Sequence, residues 1–123
     1  MFKIENNKIH LTRGDKATIG LSLENYTFQQ GDYIEFRVYN RKSLDKMPIM
    51  NITIEIAEET QEVDIVLSPE DTKIGEALNV PMTYWYEIEL NNEYTIIGYD
   101  EEGAKEFILY PEGVEIDDFA SQK

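Results

Sequence analysis

His10, twenty-five carboxylates and an aromatic set of eight tyrosines and one tryptophan are the side chains that could transfer protons, hold cations or stack on a planar ligand. A single histidine cannot supply a catalytic triad, a histidine dyad or a two-histidine metal site. The absence of cysteine also removes a thiolate nucleophile and a cysteine metal site. His10 stands between Ile9 and Leu11, where strand alternation turns it outward as an ordinary surface residue. Composition alone leaves a glycosidase-type acid pair or a calcium site open. The acids, however, gather as Glu58-Glu59 with Glu62, as Asp100-Glu101-Glu102 and as Glu115 with Asp117-Asp118, in turns and the tail rather than at inward positions. The EF-hand frame is absent, as are GxSxG, the P-loop and GxGxxG. The expectation is no catalytic residue, no metal ligand and no cofactor.

Two other groups could recognise a ligand rather than transform one. Arg13-Gly14-Asp15 spells an integrin-type tripeptide, but Gly-Asp between two strands is first of all a turn. Tyr33, Tyr39, Tyr84, Trp85, Tyr86, Tyr94, Tyr99 and Tyr110 could form a sugar-stacking platform or a protein interface. Trp85 points opposite to Tyr84 and Tyr86, so it belongs either to a second packed face or to solvent as an anchor. Packing between sheets is the expected role.

The elements that must position these groups are strands. Ala17, Ile19, Leu21 and Leu23 alternate with Thr18, Gly20 and Ser22, the period of two of a half-buried strand. The same alternation returns at 34–39, 50–56, 63–67, 84–90 and 105–110, with a shorter strand at 8–12. Asn91-Asn92 reads as a tight hairpin turn into 93–98, because asparagine tolerates the positive φ such turns need. Over Ser68 to Gly75, an N-capping serine, Pro69 at the first helical position, acids at the N-terminal end and a closing glycine predict one helical turn bridging two sheets. About eight short strands separated by turns predict antiparallel sheets in a sandwich or barrel, and single-sided alternation argues against a doubly wound parallel sheet.

At 123 residues the chain is long enough for one domain with its own core, predicted over residues 1–111, followed by an acidic tail over 112–123 expected to be loosely ordered. Met1 to Lys8 shows no apolar signal-peptide region, and no apolar run is long enough to cross a bilayer. Without cysteines there is no disulfide framework to suggest an oxidising compartment, so an intracellular site of synthesis is expected. Twenty-five acidic against eleven basic residues give a net charge of -14, which repels phosphates and anionic lipid. Neither nucleic acid nor membrane is an expected partner.

The order of the segments carries a resemblance. Ile9-His10-Leu11-Thr12-Arg13-Gly14-Asp15-Lys16-Ala17-Thr18 is followed by Gly31-Asp32-Tyr33-Ile34-Glu35-Phe36-Arg37-Val38. Then come Val63-Asp64-Ile65-Val66-Leu67-Ser68-Pro69-Glu70-Asp71-Thr72 and Tyr84-Trp85-Tyr86-Glu87-Ile88-Glu89-Leu90. Over about residues 8 to 111 this resembles the N-terminal domain of phage baseplate upper proteins and related small prophage β-sandwich domains. The resemblance implies an Ig-like β-sandwich of about 7–9 short strands with one helical turn near residues 69–74. It also implies a non-enzymatic structural or docking role in a phage tail or baseplate. The partners would be other phage structural proteins and further copies of the chain, in the virion or in the host cytoplasm during assembly. Residue type then selects Tyr39, Arg41, Trp85, Tyr99 and Tyr110 as interface candidates. A carbohydrate-binding module is the alternative, and an acidic DNA mimic a weaker one, because the acids do not form a dense stripe.

Overall fold

Alternation of apolar and polar residues resolves into nine strands in the computed structural model, which describes residues 1–42, 47–76 and 79–112. They are β1 (Phe2–Glu5), β2 (Lys8–Thr12), β3 (Ala17–Ser22), β4 (Tyr33–Tyr39), β5 (Met50–Glu55), β6 (Glu62–Leu67), β7 (Met82–Leu90), β8 (Tyr94–Ile97) and β9 (Lys105–Tyr110). No helix occurs among the described residues, and hence none long and apolar enough to cross a membrane, which says nothing of spanning by strands. Of the segment read as an acidic tail, only Glu112 falls among the described residues.

The strands form two sheets in a β-sandwich. Seven make a sheet ordered β1-β2-β9-β7-β4-β5, with β8 also paired to β7, and β3 and β6 make a second, two-stranded sheet. All pairings are antiparallel except β2 with β9, which run parallel with Ile9 opposite Phe107 and Leu11 opposite Leu109. The expectation of purely antiparallel sheets is corrected here. No hairpin joins β2 to β9, and period-two alternation is the same for either direction, so only long-range packing sets the sense of that pair.

Two hairpins use the same local chemistry. Asn91 and Asn92 have φ of 55° and 56°, and Asn6 and Asn7 have φ of 50° and 65°. Consecutive left-handed residues match the twist of a tight hairpin, with two residues between Glu5 and Lys8 and three between Leu90 and Tyr94, and asparagine tolerates them better than most residues. The first hairpin adds β1, which the sequence reading lacked. Its signal was an Asn-Asn pair between Ile4 and Ile9.

The inward positions of both sheets meet in one core. Ile9, Leu11, Ile34, Phe36, Val38, Ile65, Leu67, Tyr86, Ile88, Phe107 and Leu109 are essentially inaccessible. The Phe36 ring lies 5.6 Å from Tyr86 and 6.1 Å from Phe107, centroid to centroid, within the range of favourable tilted aromatic contacts. The Tyr86 hydroxyl reaches out of this core to donate to the Asn7 carbonyl at 2.6 Å, tying the first hairpin to β7, and burial pushes its pKa upward.

Between β6 and β7 the chain crosses from one sheet to the other, and its polar groups need partners there. Ser68 Oγ accepts from Asp71 N at 3.1 Å and Asp71 Oδ2 accepts from Ser68 N at 2.8 Å, a reciprocal cap. Thr72 N donates to Ser68 O and Lys73 N to Glu70 O, each at 3.2 Å, so the segment closes two overlapping hydrogen-bonded turns and not the expected helical turn near 69–74. Gly75 follows with φ of 70°, and a Cβ there would stand 2.5 Å from the Tyr84 hydroxyl, so both backbone and space call for glycine.

This crossing is clasped to the Arg13-Gly14-Asp15 turn. The fully buried Thr72 hydroxyl accepts from Gly14 N at 3.0 Å and donates to Asp15 O at 2.9 Å. Arg13 donates to the carbonyls of Lys73, Ile74 and Gly75 at 3.3, 3.2 and 3.0 Å, and to Glu112 Oε2 at 2.5 Å. The tripeptide is therefore a structural turn whose arginine is already engaged. Thr72→Val keeps the shape but leaves Gly14 N and Asp15 O without a partner. Urea unfolding is expected to show a loss of about 1–3 kcal/mol. Thr18→Val, at an exposed position of β3, is expected to stay within about 0.5 kcal/mol of the parent.

Candidate functional site

The outward face of the seven-stranded sheet carries a polar network centred on Arg37. Register places Arg37 of β4 opposite Glu87 of β7, and Glu35 opposite Glu89. Arg37 donates through Nη1 to Glu87 at 3.1 Å and Glu89 at 2.8 Å, and through Nη2 to Glu35 and to Asn92 Oδ1 at 3.1 Å. Burial works against the guanidinium charge, but the bonds to Glu89 and Glu87 and the Glu35 charge outweigh it, so the Arg37 pKa is raised. Tyr39 donates to Glu87 Oε2 at 2.7 Å, and burial together with that bond pushes its phenol up to about 12. Three carboxylates around one guanidinium leave local negative charge on a largely covered patch. It braces β4 against β7.

Beside this network the face becomes aromatic and apolar. Trp85 pairs across to Tyr39 on one side and Glu106 on the other. It points away from the core, half-buried, so it is not the packing residue between the sheets that its alternation suggested. Ile108 lies opposite both Thr83 and His10, and Tyr110 opposite Thr12. His10 Nδ1 stands 2.8 Å from the Tyr110 hydroxyl, and Lys8 pairs with Glu106 at 3.2 Å. Trp85, Ile108, His10 and Tyr110 are each half-buried, and the second sheet covers the opposite face.

Of the five residues selected by type, Tyr39, Trp85 and Tyr110 thus share one face. Tyr39 is only 6% exposed and its hydroxyl is committed to Glu87, so it supports the face instead of presenting itself. Arg41 is exposed just beyond the end of β4. Tyr99, 65% exposed, stands in the β8–β9 connection, where it lines a shallow depression with Asp100 and Lys105.

A second concavity lies at the end of the sandwich where β7 turns into β8. Leu23, Leu90 and Ile96 contribute apolar surface to a groove of about 510 Å³, and Tyr26 and Tyr94 line it with them. Tyr94 is 63% exposed. The Tyr26 hydroxyl donates to Asp32 Oδ2 at 2.6 Å, and its ring meets Phe28 edge to face at 5.8 Å. Asp32 also accepts from Gln29 N at 2.9 Å and Asn91 Nδ2 at 3.1 Å, while Asn91 Oδ1 accepts from Tyr33 N at 2.9 Å. Sequence reasoning missed Tyr26. Its signal was an aromatic residue beside Asn25 in the β3–β4 connection, a place where no strand period marks a side.

Among the described residues no group of three or more His, Cys, Asp and Glu side chains is arranged to hold a metal ion. No family model, no curated protein and no solved structure matches the chain.

The Asp32 node makes the groove sensitive to acid. The Gln29 amide, the Tyr26 hydroxyl and the Asn91 amide hold its carboxyl below the usual range, and the Lys105 ammonium and the Glu102 amide do the same for Asp100. A depressed folded-state pKa contributes stability that is full above the unfolded value of about 3.9 and is lost as pH falls through the folded value. Thermal unfolding followed downward from neutral pH should therefore show the melting temperature falling below about pH 4. Asp32→Asn should be less stable at neutral pH and show a shallower acid loss.

Proposed function

We propose that this chain is a non-enzymatic docking domain of Ig-like type, acting through protein contacts made by the outward face of its seven-stranded sheet. The observation that carries the reading is the cluster of half-buried Trp85, Ile108, His10 and Tyr110 on a sheet face that the second sheet leaves uncovered. Such amphipathic aromatic groups lose little side-chain entropy on binding and dominate interface energetics. The Ig-like assignment is supported by the order β2-β9-β7-β4-β5 opposite β3-β6, with the chain passing between sheets from β2 to β3, β3 to β4, β5 to β6 and β6 to β7. The resemblance of residues 8 to 111 to phage baseplate domains supplies the assembly: a tail or baseplate, with other phage structural proteins as partners.

The Tyr26 and Tyr94 groove favours a second reading, a carbohydrate-binding module in which a sugar ring stacks on exposed tyrosine. Its volume of about 510 Å³ falls within the range of small-ligand sites.

One paired measurement separates the two. Light-scattering chromatography and titration against candidate tail and baseplate proteins should show a complex with the parent chain. Trp85→Ala should weaken it by about tenfold or more, while Tyr94→Ala leaves it unchanged. A glycan-array signal abolished by Tyr94→Ala, with no tail-protein complex, would replace the docking reading with the sugar one.

A further inference from the structure

The two sheets are unequal in width, and the shortfall lies on one side. Among the described residues β6 pairs only with β3, so along Glu62–Leu67 alternate backbone N–H and C=O groups point away from any strand. On the larger sheet the inward residues of β4, Ile34, Phe36 and Val38, are completely covered. The inward residues Ile52 and Ile54 of the neighbouring edge strand β5 are only half-buried. The second sheet therefore stops one strand short of β5. Where β5 and β6 converge, a depression of about 210 Å³ is lined by Ile54 and Val63 together with Glu55, Glu58, Glu62 and Asp64.

We propose that the free edge of β6 accepts an extended strand from another protein, one whose residues alternate between apolar and Lys or Arg. The added strand would take its backbone hydrogen bonds from the edge-facing groups of Val63–Leu67, the Glu62 amide and carbonyl being bonded to the Thr60 hydroxyl. It would lay its apolar residues over Ile52 and Ile54 and set its cations among the four carboxylates. Charge decides between occupants. No Lys or Arg lines the depression, and the four carboxylates are all exposed. A second copy pairing β6 to β6 would bring Glu62 and Asp64 against their own kind. The alternating segment Val114-Glu115-Ile116-Asp117 of this chain would meet the same repulsion. Acids on an edge strand deter self-association, and here they leave the edge open to a strand of opposite charge.

The test uses the full chain and a blocked ten-residue peptide of alternating valine and lysine. Two control peptides accompany it: one alternating valine and glutamate, and one keeping the lysines but carrying proline in place of every second valine. The valine–lysine peptide is expected to bind and, at saturation, to slow amide hydrogen exchange across Val63–Leu67 by about tenfold or more. Both controls should fail to protect β6. Glu62→Lys combined with Asp64→Lys, two exposed positions, should weaken binding by about tenfold. Circular dichroism would check that this variant is folded, and the exchange map of the parent chain tests the site independently of it. The proposal is overturned by absence of binding at millimolar peptide or by protection confined to other strands. Equal binding of the proline peptide, or an unchanged affinity of the folded double variant, would overturn it as well.

Discussion

The sandwich depends on satisfying backbone polar groups where the chain leaves one sheet for the other. Two such crossings, after β2 and after β6, meet at the same end of the molecule, and each supplies what the other lacks. Thr72 offers one hydroxyl that accepts from Gly14 N and donates to Asp15 O inside a fully covered site. Arg13 returns the contact with a planar, permanently charged donor group spread over three successive carbonyls. A buried donor or acceptor without a partner costs more than most single packing contacts contribute, so this exchange is what permits a non-helical crossing at the edge of the core. It also holds Gly75 close to the Tyr84 hydroxyl of β7.

The outward face is organised around β7. β7 is the longest strand and pairs with β4, β8 and β9. Its inward residues build the core, and its outward ones, Trp85, Glu87 and Glu89, form the centre of the exposed face. The polar and aromatic halves of that face divide the labour. Arg37 and its carboxylates fix β4 against β7, with Tyr39 as a brace, and this leaves Trp85 as the large ring at the surface of β7. The acids scattered through the sequence thus have different positions and different consequences. Glu35, Glu87 and Glu89 neutralise a guanidinium, Asp32 ties a loop to a hairpin, and Glu55, Glu58, Glu62 and Asp64 line an open edge.

Much of the architecture was legible residue by residue. Alternation marked β2 through β9 because each strand has one dry and one wet face, and the side-chain period of a strand is local. The Asn91-Asn92 turn was legible because its left-handed backbone is a property of two residues. In the Ser68 to Gly75 segment the capping serine and the turn glycine were legible, since each acts within a few residues of itself, but the segment expected to hold one helical turn carries turns and no helix. Tyr39 and Trp85 were identifiable as notable by type. Their different fates, one buried beneath Glu87 and the other half-buried on the outward face beside it, were not.

Sequence by itself determined that this is an all-β chain with one core and turns at known places, because hydrophobic period, turn chemistry and composition act over a few residues. Tertiary structure alone decided the parallel pairing of β2 with β9, the gathering of Arg37 with acids from two strands, the Tyr26 groove and the unfilled place beside β6. The first three of these join residues far apart in the chain: Ile9 lies opposite Phe107, Arg37 is bonded to Glu87 and Glu89, and Tyr26 shares a groove with Tyr94. Separation along the chain leaves no periodic trace, so such contacts exist only once packing has chosen which strands lie side by side.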